Sequence, residues 1–324
     1  MLETLSALGA FLVVLTVGAD RLHAQVAGAD YEPPDGIGFR TASVTSDGVR
    51  LHAELFWPEN RTGERLPTVV TAHGWGGTAR ILRNDAVDLA RAGYLVVNFD
   101  YKGWGESDGR LVAVEPLPED RDRSTHTTLE SRVREIRGII DPFEQTSDWF
   151  NVIHWVMGEE MVDTARVGVR GTSFSGGHVV YVAAFEPRIK ALVSQVGATD
   201  IARGMPQMFE DSDALATRRA RGEVGYPDAF VREHDLTGLP IHDKVARYSP
   251  NAVADRVDAA ALFIVAENEE LYTNESQAFV AHERVQGPKR LVVIPEITHY
   301  AVYGEVREEV VGHAIDWFDE HLKE

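Results

Sequence analysis

The first place in this chain where chemistry could be done is a serine set among small residues. The run Val167-Gly168-Val169-Arg170-Gly171-Thr172-Ser173-Phe174-Ser175-Gly176-Gly177-His178 passes from an apolar strand-like stretch into a glycine- and serine-rich turn. A strand that bends sharply into a helix strains the residue at the bend and needs small neighbours two positions away. Ser173 then projects from the end of the sheet as a nucleophile. The amide of Phe174 sits at the helix N-terminus, where it can bind developing negative charge. Ser175 occupies the last small position, and a register with Ser175 as nucleophile and Gly177 two beyond it is the alternative. Ser173 is preferred because it follows the strand end directly and keeps Gly171 at the tightest point. The bland reading is a Gly/Ser-rich helix cap with no chemistry.

A second stretch, His73-Gly74-Trp75-Gly76-Gly77, also follows an apolar run. Its glycines let the backbone approach a ligand. A tetrahedral intermediate needs two converging N–H donors, and the amide of Trp75 is the second candidate beside Phe174. A base is expected at His299, in Ile294-Pro295-Glu296-Ile297-Thr298-His299-Tyr300, between the last apolar strand and the last helical pattern. The chain has 12 histidines, so position singles this one out. His154 and His178 fall inside helical patterns, as does His313.

Together with Asp100-Tyr101-Lys102-Gly103-Trp104-Gly105-Glu106-Ser107-Asp108-Gly109, these pieces resemble an α/β-hydrolase fold serine hydrolase over residues ~40–320, in the order nucleophile, acid, histidine. Residues 103–109 resemble the family's R-G-x-G-x-S-x-G, with Lys102 in place of Arg. Within the family the chain is similar to dienelactone-hydrolase-like and X-Pro-peptidase-like members, although a dienelactone hydrolase proper would carry Cys at the elbow. The resemblance places the acid three residues beyond the small residue that ends the strand 262–266, which is Glu269. Glu267 and Glu270 compete with it, and Asp200, after the strand ending near Val196, is an outside candidate. The acid would hold the imidazole tautomer and stabilise imidazolium.

The elements that must position these groups are legible as short apolar strands alternating with amphipathic helices. Strands fit 39–45 and 49–57 as a hairpin about Ser46-Asp47-Gly48, then 68–72, 94–99, 166–170, 191–196, 261–265 and 291–294. Helices fit 81–92, 145–157, 176–185, 275–285 and 306–322. This alternation means an α/β fold, with a mainly parallel sheet covered by helices on both faces and the hairpin as its antiparallel edge. Two stretches break the rhythm: 110–142 is charged and irregular, and 201–258 is long and polar. Segments of that length are usually lids or insertions. One catalytic domain, 37–324, is expected, with 201–258 as a helical insertion acting as a lid. Trp104, Phe209, Tyr226 and Phe230 are candidate pocket residues, with Trp75, Met205 and Met208; ordinary core packing is the competing role.

The chain has 324 residues, 44% hydrophobic and 26% charged, enough for a sizeable core. Its formal charge of −19 argues against nucleic acid and anionic membrane surfaces as partners. With no cysteine, thiol nucleophiles, disulfides and cysteine-ligated zinc are excluded. There is no H-E-x-x-H, phosphate loop or dinucleotide fingerprint, so neither metal nor cofactor is expected. Residues 5–19 are apolar and followed by small residues, as in a secretory signal, although Met1-Leu2-Glu3 lacks the usual positive charge. Residues 1–29 are therefore read as an export signal, with an uncleaved anchor and a cytosolic helix as alternatives. The expected activity is hydrolysis of a small-molecule carboxylic ester through an acyl-enzyme. Peptidase, thioesterase and acyltransferase activities could use the same machinery, and a non-catalytic binding protein could use the same scaffold.

Overall fold

Eight strands form one sheet, and in order across it they are β1 (Ile37–Ser46), β2 (Val49–Pro58), β4 (Leu95–Phe99), β3 (Leu66–Ala72), β8 (Val162–Thr172), β9 (Ile189–Gln195), β11 (Ala260–Ala266) and β12 (Lys289–Ile294). The computed structural model describes residues 31–226 and 237–323, so the expected export signal lies outside the described residues. Residues 34–324 form a single unit. A two-residue turn joins β1 to β2, with Asp47 and Gly48 both at positive φ, the twist-matched geometry for a tight hairpin. β2 runs antiparallel to β4, and from β4 to β12 every pairing is parallel. The central strands β3, β4 and β11 are buried along their whole length, as expected of a parallel sheet covered on both faces.

Alternation along β8 shows the two covers. Val167 and Val169 join the core built with Trp149 and Val180 from the helices Pro142–Val156 and Phe174–Ala183. On the other side Gly168 faces Phe318 of helix Arg307–Phe318; a Cβ there would lie 2.8 Å from the Phe318 ring. Arg170 points the same way and donates to Asp85 of helix Arg83–Arg91 at 2.9 Å. Asp85 also accepts from Arg307 at 2.9 Å, so this carboxylate joins the sheet to both helices of that face.

The stretch 110–142 contains more order than expected. A small antiparallel ribbon pairs β5 (Arg110–Ala113) with β6 (Val133–Ile136), and β7 (Ile139–Ile140) pairs with β10 (Leu239–Pro240). Lys102 is buried, its ammonium 3.5 Å from both Asp148 and Asp47. Asp148 also accepts from the Ser46 hydroxyl at 2.6 Å and the Lys102 amide at 2.9 Å. Burial pushes its carboxyl up to about 6, against the opposing pull of Lys102.

The insertion 201–258 is largely helical among its described residues, including Ser212–Ala220. Much of it is built into the core: Val245 and Tyr248 are buried, and the Tyr248 hydroxyl pairs with His178 Nδ1 at 2.8 Å. No helix among the described residues is long and apolar enough to cross a membrane.

Candidate active site

Ser173 stands between the end of β8 and the first turn of the following helix, with φ 55° and ψ −124°. Only four non-glycine residues among those described have positive φ, and three of them, Ser173, Val196 and Glu296, lie in the loops that build this site. Such conformations cost on the order of 1–3 kcal/mol each and persist only where the surroundings hold them. Here the Ser173 amide donates to the Gln195 carbonyl at 2.8 Å, and its carbonyl accepts from Gly176 at 2.8 Å and Ala198 at 3.1 Å. The small residues are required by contact. A Cβ on Gly171 would sit 2.0 Å from the Ser175 carbonyl oxygen, and one on Gly176 would sit 2.6 Å from Gly197 Cα.

His299 begins a short 3-10 turn, His299–Tyr303, after β12. Its Nε2 lies 3.0 Å from Ser173 Oγ, and its Nδ1 lies 2.8 Å and 3.0 Å from the two Glu269 oxygens. The side chains of His299 and Glu269 are both almost wholly buried. The chain of contacts therefore runs hydroxyl, imidazole, carboxylate.

The competing acids have other partners. Glu270 accepts the backbone amide of His299 at 2.6 Å, and Glu267 accepts the amide of Glu296 at 2.8 Å. Asp200 accepts from Arg203 N and from the Ser249 hydroxyl, as a helix-capping residue does. Ser175 is buried and shares a 2.8 Å hydrogen bond with Tyr101, whose oxygen accepts from Trp149 at 2.8 Å. This explains a serine where the pattern has glycine: its hydroxyl completes a buried polar chain away from His299.

The loop after β3 passes directly over Ser173. A Cβ on Gly74 would lie 2.7 Å from Ser173 Cβ and 3.3 Å from its Oγ. Among the described residues neither the Trp75 nor the Phe174 amide has a protein acceptor. Beneath the loop, His73 Nδ1 bonds the Gly74 carbonyl at 2.9 Å, and burial pulls its imidazole below the usual range, so it is neutral. Asp100, just after β4, ties two loops together, accepting from Ala79 N at 2.6 Å and Glu106 N at 3.0 Å.

A cavity of about 510 Å³ opens over Ser173 and His299. Its apolar wall is made by Trp75, Ile81, Tyr300 and Tyr303, and the insertion contributes Thr237. Three expected pocket residues lie elsewhere. Trp104 is buried and donates to the Ile139 carbonyl at 2.9 Å. Phe209 is buried against His242, with ring centroids 6.0 Å apart. Tyr226 lines a separate groove beside the β5–β6 ribbon. Phe230 lies outside the described residues, and Met205 and Met208 pack against the core. Phe209, Met205 and Met208 are apolar side chains of a polar insertion that turn to the core, Trp104 packs there from its own loop, and Tyr226 stays at the surface. The cavity residues missed by sequence reasoning were close to hand, since Tyr300 and Tyr303 share the His299 turn. His178 is buried between Tyr248 and Gln145, and His154 lies beside Arg188 on the surface. A second cavity of about 530 Å³, lined by Phe185, Lys190 and Arg256, lies at the opposite ends of the strands and holds no nucleophile–base pair.

The profile of the X-Pro dipeptidyl-peptidase (S15) family matches residues 47–211, and that of the prolyl oligopeptidase family matches residues 144–324. An uncharacterised 31.7 kDa Escherichia coli protein from the traX-finO intergenic region is 26% identical over 86% of this chain and 97% of its own. Among solved structures, the α/β hydrolase GrgF from Penicillium sp. sh18 superposes with a TM-score of 0.68 at 18% identity, covering 89% of this chain and all of its own. An acetyl xylan esterase from Paenibacillus sp. R4 superposes with a TM-score of 0.61 at 19% identity, covering 89% and 86%. By these matches and its sheet order the chain belongs to the α/β-hydrolase superfamily of serine hydrolases, with the X-Pro dipeptidyl-peptidase (S15) and prolyl oligopeptidase families.

Proposed function

We propose that the protein hydrolyses carboxylic esters of small molecules through an acyl-enzyme on Ser173, with His299 as general base and Glu269 as its orienting acid. The observation that carries this reading is the unbroken hydrogen-bond chain from Ser173 Oγ through His299 to Glu269. His299 Nε2 takes the Ser173 proton as Oγ attacks the carbonyl carbon. The amides of Trp75 and Phe174 receive the oxyanion. Collapse of the intermediate expels the alcohol, protonated by His299, and water attacks the acyl-enzyme with His299 again as base. Glu269 keeps the proton on Nδ1 and stabilises the imidazolium without itself reacting.

The apolar wall of Trp75, Ile81, Tyr300 and Tyr303 suits an uncharged acyl or alkoxy group, and the fold is shared with an acetyl xylan esterase. Cleavage of a peptide bond is the second reading, favoured by the two peptidase-family profiles. Two measurements separate these readings from each other and from a binding-only protein. Labelling with a fluorophosphonate, located by peptide mass spectrometry, should modify Ser173 and nothing else. A panel of esters, thioesters and aminoacyl amides of graded length should show the highest kcat/KM for an ester. Lack of labelling would remove the enzymatic reading; an aminoacyl amide as the best substrate would replace esterase by peptidase. We further propose that residues 1–29 direct export, which cell fractionation and N-terminal sequencing of the mature protein would test.

A further inference from the structure

Tyr272 lies three residues beyond Glu269 in the same loop, and the mechanism above gives it no part. It is 7% exposed. Burial pushes its phenol well above the usual range, so it carries a single proton to donate. That proton goes to the carbonyl of Val196, at 2.7 Å. Val196 is a β-branched residue at φ 39°, a conformation such residues rarely adopt. Its own amide is tied to the Ile264 carbonyl at 2.7 Å. The strained peptide is thus gripped at the amide by β11 and at the carbonyl by Tyr272.

What this turn does for the nucleophile is visible in its neighbours. Gln195, just before Val196, accepts the Ser173 amide, and Ala198, two residues after it, donates to the Ser173 carbonyl. Gly197 abuts Gly176 in the helix that the elbow begins. Both peptide groups of the nucleophile therefore hang on residues 195–198. The Tyr272 ring also stands edge-on to His299, centroids 5.8 Å apart at 84°, and the Ser173 hydroxyl is among the groups that act on the phenol.

Resting on the reading of Ser173 and His299 as nucleophile and base, we propose that Tyr272 is a positioning residue: its hydroxyl clamps the strained turn at Val196 and so fixes Ser173 Oγ against His299 Nε2. Its one proton is committed to Val196, so it is not an oxyanion donor. It acts through the placement of two other groups. A misplacement of about 1 Å can cost on the order of a hundredfold in turnover.

The test uses Tyr272→Phe, which keeps the ring and removes the hydroxyl, and Val196→Gly, which removes the strain that the hydroxyl restrains. Steady-state hydrolysis is normalised to the fluorophosphonate titre, so that only intact sites are counted. Y272F should lower kcat roughly 10- to 100-fold with KM within about twofold. The same change made in a V196G background should cost less than about threefold, because the two residues then share no constraint. A purely structural tyrosine would lower the melting temperature and the titre but leave kcat per titrated site unchanged, and that result would overturn the proposal. So would an equal kcat loss in both backgrounds. If wild-type protein takes no label, the nucleophile reading fails and this proposal fails with it; a labelled wild type with an unaffected Y272F defeats the clamp alone.

Discussion

Glu270 accepts the backbone amide of His299 at 2.6 Å, while its neighbour Glu269 holds the imidazole of the same residue. Adjacent carboxylates thus fix one histidine by its main chain and by its ring. Glu267 adds a third grip at Glu296, where the histidine loop passes through positive φ. The three acids that compete in sequence divide the work of holding this loop.

The two glutamates next to each other should therefore separate cleanly on substitution. Glu269→Gln should reduce kcat by about 10²- to 10⁴-fold, since an amide can leave the imidazole in the wrong tautomer. Glu270→Gln should cost less than about threefold, because its amide oxygen still accepts the His299 N–H, whereas Glu270→Ala should cost about tenfold through a looser loop. Steady-state kinetics on one ester would settle the ranking. A larger loss at Glu270 than at Glu269 would reverse the assignment.

Ser175 offers a complementary contrast to Ser173. Ser175→Ala removes one hydrogen bond of a buried chain through Tyr101 and Trp149. It should keep most of the turnover and lower stability by about 1–2 kcal/mol, whereas Ser173→Ala should lose a thousandfold or more in turnover with little change in melting temperature. Thermal melts and kinetics on the same preparations read both quantities, and an inactive S175A would refute the register of the elbow.

Legibility followed the strength of the local signal. The turn at Ser173, the glycine loop at 73–77 and the His299 loop could be read because strand ends, tight turns and small residues leave marks in a few contiguous positions. The sheet strands could be read because buried parallel strands are short apolar runs, as 260–266 is throughout. Glu269 is singled out over Glu267, Glu270 and Asp200 only through the family resemblance, because a carboxylate carries the same local signal at each position and only the path of the loop decides which one meets the ring. Phe209 and Trp104 were misplaced for a related reason: an aromatic residue carries the same sequence signal whether it faces a cavity or the core. Val196 left no mark at all, since β-branched residues are not expected at positive φ.

His178 should give the fold a measurable acid sensitivity. It is fully enclosed between Tyr248 and Gln145, and burial pulls its pKa down from 6.5 to about 3. Between those values the unfolded chain binds the proton and the folded one does not. Its contribution to stability is therefore complete above about pH 6.5 and is lost as pH falls, by about 1.4 kcal/mol per pH unit. Asp148, raised to about 6, works in the opposite sense and disfavours folding as pH rises from 3.8 to 6. The effect is best read as a difference: the stability gap between wild type and His178→Gln in chemical denaturation should shrink steadily below pH 6.5. A gap that stays constant down to pH 4.5 would show that His178 does not carry the effect.

Substrate choice should respond to Ile81 and Tyr300 and hardly at all to Phe209. Ile81 and Tyr300 line the cavity over Ser173, and both are substantially exposed, so little of the fold depends on them. Ile81 comes from the turn after the 73–77 glycine loop and Tyr300 from the His299 turn, so the two reach the cavity from different loops. Enlarging the first by Ile81→Trp should narrow the cavity and shift the preferred acyl or alkoxy chain to shorter lengths. Truncating the second by Tyr300→Ala should widen it and shift the preference to longer ones, with changes of roughly tenfold in relative kcat/KM across a length series, the scale set by one or two methylene contacts. Phe209 is buried against His242 and does not line that cavity. Its truncation to alanine opens a void in the packing and should cost about 3 kcal/mol, seen as a fall of several degrees in melting temperature. The same length series measured on all three variants decides the matter: if Phe209→Ala changes the length preference while Ile81→Trp and Tyr300→Ala leave it as it was, the insertion controls access to Ser173 and this cavity wall does not.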